Sequence, residues 1–113
     1  MSKNAGIINW TFQNETDAPS DGFELKLRAD MNTANIIFTG TGGSTFTAHF
    51  EGKSIDNGAY YPVVAVNLAT LDVENTNSTL DSQWQVDLTG YIAFRVRISA
   101  VAGDVTVRAR VVS

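Results

Sequence analysis

Apolar side chains in this chain recur at every second residue, and no stretch shows the three-and-four spacing of an amphipathic helix. After Gly22, the residues Phe23, Leu25, Leu27 and Ala29 alternate with Glu24, Lys26, Arg28 and Asp30. Further on, Phe46, Ala48 and Phe50 alternate with Thr45, Thr47, His49 and Glu51. Successive side chains on a strand point to opposite faces, so this pattern gives each strand one dry face and one wet face. Runs of this kind are expected at 7–12, 22–30, 35–40, 45–52, 59–67, 71–74, 83–88, 91–99 and 104–112. Turn-forming residues fill the gaps, at Asp17-Ala18-Pro19-Ser20-Asp21-Gly22, Thr41-Gly42-Gly43-Ser44, Asp56-Asn57-Gly58 and Ala102-Gly103-Asp104. Eight to nine short strands predict an all-β fold, an antiparallel β-sandwich of jelly-roll type. Pro62 lacks an N–H, so its segment is expected at a sheet edge or to begin after the proline. The polar run Asn75-Thr76-Asn77-Ser78-Thr79 reads as an exposed loop.

At 113 residues the chain suits one domain, spanning 1–113 with Met1–Gly6 as a flexible arm. A hydrophobic fraction of 43% supports a packed core, and with no cysteine there is neither a disulfide framework nor a thiol ligand or nucleophile. Only two apolar residues follow Gly6 before Asn9, which is no signal-peptide core. The expectation is a protein without an export signal. The longest apolar run, Val63-Val64-Ala65-Val66, is too short to cross a bilayer, so no membrane partner is expected. A net charge of −4 argues against nucleic acid as a partner.

The charge is unevenly placed. Four of the eight cations, Arg95, Arg97, Arg108 and Arg110, follow eleven of the twelve acids. If 91–99 and 104–112 form a hairpin about Ala102-Gly103, the inward pairs are Ile98 with Val107, Val96 with Ala109 and Phe94 with Val111. The outward pairs are then Arg97 with Arg108 and Arg95 with Arg110. Like charges set opposite each other are destabilising unless an acid lies near. These four arginines are therefore candidates for a subunit interface or an anion contact, with balance by an acid such as Glu24, Asp30, Glu51, Asp72, Glu74 or Asp87 as the plainer account.

The same region carries a resemblance. Val86-Asp87-Leu88-Thr89-Gly90-Tyr91, then Phe94-Arg95-Val96-Arg97-Ile98-Ser99-Ala100, then Val105-Thr106-Val107-Arg108-Ala109 resemble the ending of small virion proteins of tailed bacteriophages. Upstream, Phe50-Glu51-Gly52-Lys53-Ser54-Ile55-Asp56-Asn57-Gly58-Ala59-Tyr60-Tyr61-Pro62 is similar to a segment that often accompanies it, with Lys53 and Asn57 as extra residues. The resemblance covers roughly the last two thirds of the chain. It implies a jelly-roll-like sandwich serving as a head-decoration, fibre or tail-tip protein, made in the bacterial cytoplasm and located in the virion. It also implies a homo-oligomer, a trimer before other states, in contact with other virion proteins.

Candidates for chemistry are few. His49, the single histidine, shares a strand face with Thr47 and Glu51 and is expected at the surface, and no second histidine offers a base to a serine nucleophile. Asp72 and Glu74 fall on one side of a strand, as on any solvated face. Gly40-Thr41-Gly42-Gly43-Ser44 lacks the lysine of a phosphate loop and reads as a turn. Asp56-Asn57-Gly58 and Asp17 to Asp21 offer oxygens for calcium but no closing glutamate. The chain is thus read as non-enzymatic, with no catalytic residue, no metal and no cofactor. Its other reading is a carbohydrate-binding module for a host-surface glycan. The rings available to a sugar are Trp10, Tyr60, Tyr61, Trp84 and Tyr91; Trp84 alternates in phase with Val86 and Leu88 and belongs to the core, and Tyr60, Tyr61 and Tyr91 are the candidate glycan contacts.

Overall fold

Two antiparallel sheets face each other across a dry core in a computed structural model that describes residues 7–28, 30–55 and 58–112. The expected arm 1–6, Ala29 and the Asp56-Asn57 part of one turn lie outside the described residues. The strands are β1 (Ile8–Thr16), β2 (Leu25–Lys26), β3 (Thr33–Thr39), β4 (Thr45–Lys53), β5 (Tyr61–Pro62) and β6 (Ala65–Asn67). They continue as β7 (Val73–Glu74), β8 (Thr76–Asn77), β9 (Ser82–Asp87), β10 (Ala93–Ala102) and β11 (Val105–Val112). Sheet A runs β1-β11-β3-β9-β6-β7, and sheet B runs β2-β10-β4-β5 with β8 also paired to β4. The all-β antiparallel sandwich is therefore the fold, with eleven strands among the described residues rather than eight or nine.

The core follows the alternation. Phe46, Ala48 and Phe50 of β4 point inward, as do Ala34, Ile36 and Phe38 of β3 and Trp84 and Val86 of β9. Aromatic rings tie the sheets together: Phe38 stacks on Phe46 with centroids 5.6 Å apart, meets Phe50 edge-on at 5.9 Å, and Phe50 lies 5.5 Å from Trp84. Phe12 and Phe94 make a further edge-on pair at 5.5 Å. Rings packed this way contribute beyond their buried area.

Only β4–β5 and β6–β7 join neighbours within one sheet; every other connection crosses from sheet to sheet. This corrects the expected C-terminal hairpin. β10 pairs with β4 and β2, while β11 pairs with β1 and β3. The turn at Gly103, with φ of 93°, carries the chain across the core instead of folding it back along one sheet. Phe94, Val96, Ile98, Val105, Val107, Ala109 and Val111 are nonetheless all buried, because the two strands oppose each other across the interior.

Three further expectations change. The run 22–30 narrows to Leu25–Lys26, because Gly22, at a φ of 73°, turns the chain there; Phe23 is left 61% exposed. The run 59–67 divides, with β5 in sheet B and β6 in sheet A, and Pro62 does occupy an edge strand. The 75–79 loop contains β8, whose Asn77 is buried and donates to Ser82 Oγ at 3.0 Å and to the Thr79 carbonyl at 3.2 Å.

Candidate functional site

The outer face of sheet B is a closed charge network. β4 and β10 run side by side with Arg95 opposite Glu51 and Arg97 opposite His49. Arg95 Nε donates to Glu51 Oε1 at 2.8 Å, while Arg97 donates through Nε to both carboxylate oxygens at 3.1 and 3.2 Å and through Nη2 to Oε2 at 3.1 Å. Glu51 is thus only 8% exposed although it stands on a wet face, because two guanidinium groups cover it. Burial alone would raise its carboxyl, but the bonds and charges of Arg97 and Arg95 together outweigh burial and hold it below the usual carboxylate range. The same bond from Glu51 holds Arg97 above its ordinary value.

Neighbours complete the network. Arg95 lies over the Tyr60 ring, 4.0 Å from its centroid, and also reaches Asp21 at 3.6 Å. The Tyr60 hydroxyl donates to Glu24, which Lys53 approaches at 3.8 Å. Burial first, and then that bond to Glu24, push the Tyr60 phenol well above its usual value. His49 and Ser99 share a hydrogen bond of 2.8 Å between Nε2 and Oγ. Burial, and then the charge of Arg97, lower the imidazole against a smaller opposing pull from Glu51. Glu51, the acid two residues along the strand, is occupied by its arginines, so His49 and Ser99 lack the oriented third group of a nucleophilic triad among the described residues.

The outer face of sheet A differs in kind. Ladder register sets Thr11, Arg108, Ile37 and Gln83 in one row across four strands, and Asn9, Arg110, Asn35 and Gln85 in the next. Leu68, whose N–H bonds the Gln83 carbonyl at 2.9 Å, closes the first row. These rows, except Gln85, line a groove of about 440 Å³. None of its lining residues is acidic. Among the described residues neither Arg108 nor Arg110 makes an ion pair, and both are exposed. Beyond the groove, at the β6–β7 end of the sheet, Val73 of the edge strand and the flanking Val64 and Leu71 are exposed by 57%, 60% and 72%.

The model of the XepA family matches residues 6–111, nearly the whole chain. This chain belongs to the XepA family. The XepA-family fold is shared with the SPBc2 prophage-derived protein YomS at 21% identity, covering 95% of this chain and 93% of YomS with a TM-score of 0.88. It is shared too with the PBSX exported protein XepA at 19% identity, again over 95% of this chain with a TM-score of 0.88, but over only 38% of XepA. No curated protein sequence matches significantly. YomS is a prophage-derived protein, in keeping with the resemblance to bacteriophage virion proteins. The XepA-family sandwich occurs nearly alone in YomS and as a minor part of a longer chain in XepA.

Within this XepA-family domain the four arginines do not form one patch. Because β10 and β11 belong to opposing sheets, Arg95 and Arg97 lie on one outer face and Arg108 and Arg110 on the other, so the expected outward pairs do not exist. Glu51, one of the acids named as a balancing partner, answers the first pair. The three tyrosines also separate: Tyr60 is held by Glu24 and Arg95, Tyr91 packs against the core beside Gly52, and Tyr61 is 67% exposed. Trp84 is buried, as its phase requires. Asn9, Asn35 and Gln83 escaped notice because carboxamides on a wet face are ordinary. Their phase with Arg108 and Arg110 acquires meaning only once β1, β3 and β9 are placed beside β11.

Proposed function

We propose that this XepA-family protein is a non-enzymatic structural or display component of the virion that assembles with copies of itself. The supporting observation is the apolar strip at the β6–β7 end of sheet A, where Val64, Leu71 and Val73 stand exposed beside an open sheet edge. Exposed apolar side chains along an open sheet edge are costly in a free monomer and mark a contact surface. The outer face of sheet B is satisfied within the chain, since Arg95, Arg97 and Lys53 each meet a carboxylate of their own chain. Light scattering over a range of concentrations tests the reading, with a trimer as the stoichiometry to look for first. A strict monomer at high concentration would overturn it. The other reading, recognition of a host-surface glycan, finds only Tyr61 widely open among the three tyrosines; the groove of sheet A is better furnished for a sugar.

A further inference from the structure

We infer that the groove on the outer face of sheet A binds an acidic saccharide, a sugar chain carrying carboxylate or phosphate. Arg108 and Arg110 sit two residues apart on one face of β11, with no acid among the groove's lining residues. Two neighbouring like charges repel, and a bound anion relieves the repulsion while accepting planar, two-pronged hydrogen bonds from each guanidinium. In a chain of net charge −4, such a spot is a local reversal of sign that selects an anionic ligand over a neutral one.

The remaining lining specifies more than charge. Asn9, Asn35 and Gln83 are carboxamides, each able to donate and to accept, which matches hydroxyl groups that do both. Ile37 and Leu68, 37% and 41% exposed, give an apolar surface for the C–H face of a sugar ring. The volume, about 440 Å³, falls in the range of small-ligand sites. An acidic peptide suits the groove less well. β11, β3 and β9 are interior strands with a neighbour on each side, so their backbone groups are already paired and no extended chain can add to them. Recognition there must come from side chains, and most of those are matched to hydroxyls.

The proposal is independent of self-association and has its own test. Binding of oligogalacturonate and of dextran phosphate is measured by calorimetry, with neutral dextran and poly-glutamate as controls. One or both acidic glycans should bind, more weakly as salt rises, and the pair identifies which acid is preferred. The double variant Arg108→Gln/Arg110→Gln should lose at least about tenfold in affinity. Asn35→Ala/Gln83→Ala, which leaves both charges in place, should also weaken binding. All four side chains are exposed, and unchanged melting temperatures confirm intact folds. Three outcomes would overturn the proposal: no binding of either acidic glycan, undiminished binding by the arginine variant, or poly-glutamate binding as tightly as the glycans.

Discussion

The side-chain amide of Gln13 donates to the carbonyl of Val96 at 2.9 Å, linking residues 83 apart in sequence. Gln13 belongs to β1 of sheet A and Val96 to β10 of sheet B, so one side chain bridges the two layers. It is 1% exposed and fully employed: its nitrogen also donates to the Ser20 carbonyl at 3.1 Å, and its oxygen accepts from Thr16 Oγ1 at 2.6 Å. A register shift in the β1–β11 ladder between Thr11 and Gln13 turns the side chain inward, and Gly22 leaves room for it, since a Cβ there would come within 2.4 Å of its nitrogen.

Replacing Gln13 should therefore be costly in a way that depends on charge. Gln13→Ala leaves buried polar groups unpaired and a void, at a cost of about 2–3 kcal/mol in urea unfolding. Gln13→Glu keeps the shape but turns an acceptor toward two carbonyl oxygens. It should be less stable than Gln13→Ala at pH 7 and recover partly as acid protonates the new carboxyl. A Glu variant as stable as the wild type would show that the bridge contributes nothing.

Glu51 contributes to the acid limb of stability. Its folded carboxyl lies below its ordinary value of 4.5, so the unfolded chain takes up a proton first as pH falls. The contribution of Glu51 is complete above about pH 4.5 and is lost as pH drops through the lower, folded value. Glu51→Gln should cost about 2–3 kcal/mol at pH 7, where two arginines lose their carboxylate, and the difference from wild type should shrink below pH 4. Urea midpoints at a series of pH values read both.

His49 adds a shallower slope at higher pH. Its folded imidazole is held below 6.5, so the unfolded state is the better proton acceptor, and stability declines as pH falls below about 6.5. Thermal melts of His49→Asn should lack this slope between pH 6.5 and 5 while retaining the one from Glu51.

Gly52 is fixed by what lies above it. A Cβ at this position would stand 2.7 Å from the Tyr91 ring and 2.9 Å from Val63. Gly52→Ala should destabilise by about 1–3 kcal/mol, the ordinary cost of overpacking. Adding Tyr91→Ala in the same chain should return less than the sum of the two single losses, a non-additivity that chemical denaturation can measure.

Assembly has its own variants. Leu71→Asp and Val73→Lys place charges on the apolar strip and should lower the sedimenting mass without lowering the melting temperature, since neither side chain is buried. Arg95→Gln and Arg97→Gln, on the opposite face, should leave the mass unchanged.

What the sequence made legible was the face of each strand, and what it concealed was the neighbour. Period-two alternation placed Phe46, Phe50, Trp84, Val96 and Val107 in the core because burial depends on which way a side chain points. Strand pairing depends on the path of the connections, and Gly103 serves a hairpin and a crossover equally well. The arginine pairs were lost for that reason alone. Gln13 and Asn77 escaped for another: a polar side chain is buried when specific partners await it, and for Gln13 the most distant partner is 83 residues away. Phe23 erred in the opposite sense, an apolar residue in phase with the core but displaced outward where Gly22 turns the chain.

The crossing of the core at nearly every connection also governs how this molecule comes into being. The first and last strands are ladder partners, with Ile8 opposite Val111, and sheet A is otherwise stitched from segments scattered along the chain. Little of the native structure is local, so loop closure must precede the contacts that reward it, which places folding in the slow millisecond-to-second range of β-sandwiches. Sheet B is complete only with β10, and sheet A only with β11. A nascent chain gains its core only when β11 has left the ribosome, so the surfaces of the protein appear together, late, and on a domain already closed.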